Sequence, residues 1–267
     1  MLCLFAAGDG FAQNASSSPT ASPSETVSPA VSSETLAHVQ PPVEGYRFPN
    51  GQTLIYQVEW RVFNAGTASL RMEQAGQEQR VVMTADTSGS IAAVFHLRDR
   101  IESFVNPTDF CSLNLSKQTE EGFRRNSMTL QFDYTRHKSV LDQVNLKKHE
   151  TRHEEHDIPD CVVDVVSSFY YVASQKLEPG ATLLFPLNDG GKTQNVKIHV
   201  EKREKLKVPA GSFDTIRVYP EAEDGTLHKK GKAMVWFSDD ARHIPVQMEA
   251  KSFLGTVSIK LLRIEQK

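Results

Sequence analysis

Along residues 195–220 apolar and polar side chains alternate. Val196, Ile198 and Val200 are separated by Lys197 and His199, and Ile216 and Val218 by Arg217. A period of two marks a strand with one face buried and one face wet. The two runs meet at Pro209, Ala210 and Gly211. Pro209 presets φ and Gly211 tolerates a positive φ or a bulge, so the pattern predicts an antiparallel hairpin with a tight turn. Similar strand-like runs return before and after it, as at residues 54–63, 67–73, 125–134, 182–187, 246–253 and 256–264. Asn64, Ala65 and Gly66 are expected to turn the first of these into the second. The fold class that follows is mainly β: an antiparallel meander closing into a barrel or a strongly curved sandwich, because closure removes exposed strand edges.

One stretch departs from the alternation. In residues 160–176 (DCVVDVVSSFYYVASQK), Val163, Val166, Tyr170 and Ala173, continued by Leu177, fall at helical spacing. Asp160 or Asp164 can cap such a helix and the pair Pro179-Gly180 ends it. The spacing predicts one substantial helix here, packed on a sheet face or across a barrel mouth.

The two ends of the chain read differently. Residues 1–12 resemble the back half of a secretory signal peptide, with a short apolar stretch and then Gly10-Phe11-Ala12, a small-x-small pattern suited to cleavage. Residues 13–45 are rich in Ser, Pro, Thr and Ala and bury too little apolar surface to offset their ordering entropy, so they are expected to form a disordered tether. Residues 46–267 are then a single β-rich domain. An exported chain permits a disulfide between Cys111 and Cys161, the alternative being two separate thiols.

Charge and length exclude more than they suggest. The 30 Lys and Arg are balanced by 33 Asp and Glu and are scattered, so the basic footprint of a nucleic-acid binder is lacking. No apolar run reaches the roughly 18 residues that a membrane-spanning helix needs.

Three groups of residues could carry chemistry. His149, His153 and His156 lie in HETRHEEHD, whose first five letters fit His-Glu-x-x-His. On a helix the three would share one face, as metal ligands must, whereas on a strand His156 faces away from the other two. The segment is a charged connection with little apolar face to hold a helix, so an exposed, solvated loop or a fraying strand is expected, with a metal-binding protein or metal-dependent hydrolase as the alternative. Asp239, Asp240 and His243 form either a polar turn or an acid/base group, since close carboxylates shift each other's pKa. Tyr56, Trp60, Phe132, Tyr170 and Trp236 are core aromatics that could also line an interior cavity for an apolar ligand. Residues 189–193 superficially resemble a phosphate loop, but Pro186 stands where its first Gly belongs, so a hairpin turn is expected.

Several phrases taken together resemble a bacterial family known only as domain of unknown function 3108. They are PNGQTLIYQVEW with NAGTASL, LRDRIESFVNP, DVVSSFYYV, VPAGSFDTIRV and VWFSDDARHIPVQM, in that order along nearly the whole domain. The resemblance implies an exported, β-rich envelope protein and brings no catalytic residues to carry over. The functional expectation is therefore a periplasmic or secreted, non-enzymatic binder of an apolar or amphipathic ligand, or of an envelope partner, with no cofactor identified.

Overall fold

The computed structural model describes residues 37–222, 232–252 and 255–266. The signal-like start, residues 13–36 of the tether and Leu254 in the last expected turn lie outside them. The chain forms β1 (Gln52–Trp60), β2 (Phe63–Ala75), β3 (Glu78–Thr87), α1 (Gly89–Val94), β4 (Leu97–Val105), β5 (Ser112–Glu121), β6 (Arg124–Asp133), β7 (Lys138–Asn145) and β8 (Glu150–Asp157). It continues through β9 (Val163–Asp164), α2 (Ser168–Ala173), β10 (Thr182–Asp189), β11 (Lys192–Val208), β12 (Gly211–Ala222), β13 (Lys232–Ser238), β14 (Pro245–Ser252) and β15 (Gly255–Gln266).

All fifteen strands belong to one sheet, in the order β8-β7-β6-β5-β4-β3-β2-β1-β15-β14-β13-β12-β11-β10-β9. Two meanders are thus stitched together where β1 pairs antiparallel with β15. The hairpin expected at residues 209–211 is present, with β11 and β12 joined across Pro209 and Ala210. Register carries one buried face from strand to strand. Leu54 stands opposite Leu70, Leu70 opposite Met83 and Met83 opposite Ile101, so a single apolar lining builds up as strands are added. The register skips Ala65 in β2, Leu113 in β5, Glu201 in β11, Val246 in β14 and Leu262 in β15, and such bulges bend and twist the strands that carry them.

The sheet is β-barrel-like but not closed, which corrects the expectation of closure. Its outer strands are β8 and β9. β9 has only two residues, pairs parallel with β10, and turns inward so that the carbonyl of Val162 accepts from Ser112 N. At the other edge, β8 reads ETRHEEHD, and a charged edge strand resists pairing with another edge.

A second correction concerns the helix. No long helix spans residues 160–176; α2 has six residues. Cys161 is bonded to Cys111, and the Asp164 carboxylate accepts from the backbone N–H groups of Val166 and Ser167, so a bridged segment and the short β9 occupy the first residues of the stretch and a turn at 165–167 leads into α2. The helical spacing misleads because Val162, Val163 and Val166 are all buried. These residues are enclosed on several sides, so their spacing reports burial and not one helical face.

The first hairpin also turns earlier than expected, at Arg61 and Val62, where Arg61 takes φ 57°. Gly66 sits inside β2 instead, because a Cβ there would lie 2.0 Å from the Asp86 carbonyl oxygen. Only glycine allows that approach.

Gln40 and Val43, in the stretch expected to be disordered, lie on the domain. Gln40 N donates to the Tyr171 hydroxyl at 3.1 Å, and Val43 N to the Ser174 carbonyl at 2.9 Å. Beneath them Phe48, Phe110, Tyr171 and Phe185 pack in a chain of ring contacts. Across the sheet the buried Tyr56 hydroxyl donates to the Pro245 carbonyl at 2.8 Å. Tyr56→Phe leaves that carbonyl unpaired and is expected to cost about 1–2 kcal/mol, read as a lower urea midpoint at unchanged slope.

Candidate functional site: an apolar hollow inside the sheet

The curved inner face encloses a hollow of about 150 Å³. Its walls come from β1 to β6, the end of β10 and β13 to β15, and Val165, Val166 and Phe169 close it from the β9–α2 side. Met83, Met128, Met234 and Met248 are among the lining side chains. Unbranched thioethers adapt their shape to what they touch, so this wall tolerates ligands of differing outline. A dry apolar space of roughly 150 Å³ is large enough to hold a benzene-sized group.

One part of the inner face is polar. Asp99 on β4 faces Thr119 on β5, and Lys117 and Glu121 flank Thr119 on the same side of that strand. Asp99 is only 2% exposed, and neither carboxyl oxygen has a hydrogen-bond donor among the described residues. Burial, reinforced by the charge of Glu121 and partly opposed by Lys117, pushes its pKa up to about 6.

The sign of the effect on stability follows. A raised carboxyl pKa means that the folded state holds the proton more tightly than the unfolded chain, so stability falls as pH rises through the window from about 4 to about 6. Asp99→Asn removes that penalty. The variant is expected to gain roughly 2–3 kcal/mol at pH 8, with the gain fading toward pH 4, as measured by thermal melts across that range.

Of the five aromatic candidates, only Tyr56 borders the hollow. The Arg61 guanidinium lies 5.3 Å from the Trp60 ring centre, Phe132 stacks on Tyr134, and Trp236 donates from Nε1 to Glu204 at 3.0 Å. Tyr170 is buried in α2. Sequence reasoning singles out the rings and passes over Met83, Met128, Met248, Phe169 and Lys117. The usable signal is parity: Met83 lies two residues from buried Val81 and Ala85, and Met128 two from buried Leu130.

The histidines do not converge. His149 sits in the β7–β8 turn with φ 57°. His153 bonds Asp142 at 2.7 Å, and His156, on the opposite face of β8, bonds Glu154 at 3.0 Å. Among the described residues no group of three His, Cys, Asp or Glu side chains is placed to hold a metal ion. The segment is an edge strand, the second of the two forms expected of it.

Asp239 pairs with Arg203 at 2.9 Å, and Asp240 pairs with Arg242 and accepts from Ser238 Oγ at 2.9 Å. His243 donates from Nδ1 to the Ala173 carbonyl at 2.8 Å. These groups fix the turn after β13, and none of them lines the hollow. Cys111 and Cys161 form a disulfide. Residues 189–193 form the β10–β11 turn, with Gly190 and Gly191 at φ 58° and 88°.

Comparison with known proteins agrees with this architecture. The sequence matches the family described as "Protein of unknown function (DUF3108)" over residues 55–262. Among curated proteins none matches it. The fold is similar to that of a β-barrel-like protein of domain of unknown function DUF1849 from Brucella abortus, with a TM-score of 0.54 and 8% identity over 87% of this chain and 100% of the other. A protein with a YmcC-like fold from Bacteroides fragilis aligns with a TM-score of 0.35 and 10% identity over 86% of this chain and 100% of the other.

Proposed function

Since the chain belongs to the DUF3108 family, a membership that brings no chemistry with it, we propose from the site alone that it is a non-enzymatic binder of an apolar or amphipathic ligand in the bacterial envelope. The observation that carries this reading is the hollow of about 150 Å³ under the curved sheet, whose lining includes Met83, Met128, Phe169 and Met248, none of them fully buried. A sheet that needed only a core would fill such a space, because voids cost stability. An envelope location is supported by the Cys111–Cys161 disulfide, which belongs to an oxidising compartment, and by the signal-like pattern of residues 1–12.

The experiment is organic extraction and mass spectrometry of protein purified without detergent from the bacterial envelope, beside the Ala250→Trp variant. Ala250 lines the hollow and is half-buried, so an indole there fills the space. An amphiphile is expected at close to one per chain in the wild type and at less than a tenth of that in the variant, which still melts in one cooperative transition. Equal recovery from both proteins, or no amphiphile in either, refutes the reading.

A further inference from the structure

The inner face keeps one cation inside an apolar row. From Leu70 the register runs to Met83, Ile101, Lys117 and Met128, and all five side chains line the hollow. Lys117 is half-buried, and no carboxylate among the described residues lies within ion-pair distance of it. The carboxylates that border the hollow are engaged elsewhere: Asp86 with Arg98 at 3.3 Å, Glu249 with Gln247 Nε2 at 3.0 Å, and Asp189 with a partner of its own. Glu121, near the edge of this wall, is engaged as well.

Asp99 is the diagonal neighbour of Lys117 across β4 and β5. Its carboxyl oxygens are buried without a donor, so a ligand in the hollow does not reach them. The group that a ligand can touch is therefore the ammonium. Half-buried beside hydrocarbon side chains, an ammonium gains most from an anion that arrives with its own apolar body. A hollow of about 150 Å³ takes the part of one chain nearest the headgroup, about the bulk of a benzene ring, and not two chains side by side.

We propose that Lys117 is the headgroup contact of the hollow, and that the ligand is a single-chain amphiphile ending in an acid group, carboxylate or phosphate, with its chain along Met83, Ile101 and Met128. This rests on the binder reading above and adds the sign of the headgroup and the number of chains.

The test is calorimetric titration of delipidated full-length protein with decanoate, decyl phosphate, decanol and decylammonium, all below micelle formation. It is run on wild type, Lys117→Met and Lys117→Arg. The acids are expected to bind about tenfold or more tighter than decanol, with decylammonium weakest, as one charge-assisted contact implies. Lys117→Met keeps the length and apolar body of the side chain; it is expected to bring the acids down to the affinity of decanol or below it, and Lys117→Arg to retain the preference for acids. The decanoate and decyl phosphate arms show which acid is preferred. Tightest binding of decylammonium, or an intact acid preference in Lys117→Met, overturns the headgroup assignment while the binder reading stands. Failure of all four compounds to bind the wild type overturns both.

Discussion

Asp164→Ala is expected to lose about 3–5 kcal/mol of stability, the largest effect of any single substitution considered for this chain. The carboxylate is fully buried and accepts from Ser103 Oγ at 2.5 Å, Ser112 Oγ at 2.6 Å, Ser167 Oγ at 2.7 Å, Val166 N at 2.9 Å and Ser167 N at 3.0 Å. These donors come from β4, β5 and the start of α2, so one side chain holds the inward-turned segment against the sheet. Removing it takes the acceptor from Ser103 Oγ and from two amides in a dry site and leaves Ser112 and Ser167 only their weaker bonds to each other and to the backbone, and each unpaired group carries its own desolvation penalty. The drop in melting temperature is expected to be on the order of 10 °C at this size, measured by circular dichroism. Asp164→Asn keeps the acceptor oxygen and is expected to lose less. A variant melting within about 2 °C of wild type would show that the hub is dispensable.

Breaking the Cys111–Cys161 bond is expected to cost nearly as much. The cysteines are 50 residues apart in sequence, and the loop-entropy relation assigns about 4 kcal/mol to a ring of that size. Cys161→Ser and the wild type under reducing conditions should melt at the same lowered temperature. A reductant that lowers the variant's melting point as well would place the effect elsewhere. The loss should fall on the β9–α2 segment first, because Cys161 leads directly into it, and hydrogen exchange would show protection lost at α2 before β1 or β15.

Much of the sheet is legible in the order of residues. Val196, Ile198 and Val200 alternate because one face of β11 meets the interior, and Pro209 and Ala210 mark the turn where the sequence places it. The open edge is not legible, since alternation reports which side of a strand is buried and is silent on whether the outermost strands meet. The helix misreads because burial on several sides imitates a helical stripe, and because the Asp164 network depends on Ser103 and Ser112, which come from distant strands. Gly66 looks like a turn residue until the neighbouring strand explains it. In the hollow, aromatic rings are the conspicuous side chains, yet most of them hold the shell together. Lys117 escapes notice because a lysine on a polar-looking strand is usually wet, and only the register with Ile101 and Met128 shows where it stands.

The seam between β1 and β15 has a kinetic consequence. Its pairs, such as Gln52 with Gln266, join positions at nearly opposite ends of the domain. Contacts so remote in sequence raise the contact order, and folding slows accordingly. Until the final strand is available the two meanders have no common border, so the last dozen residues of the sheet set the moment at which two separate halves become one body.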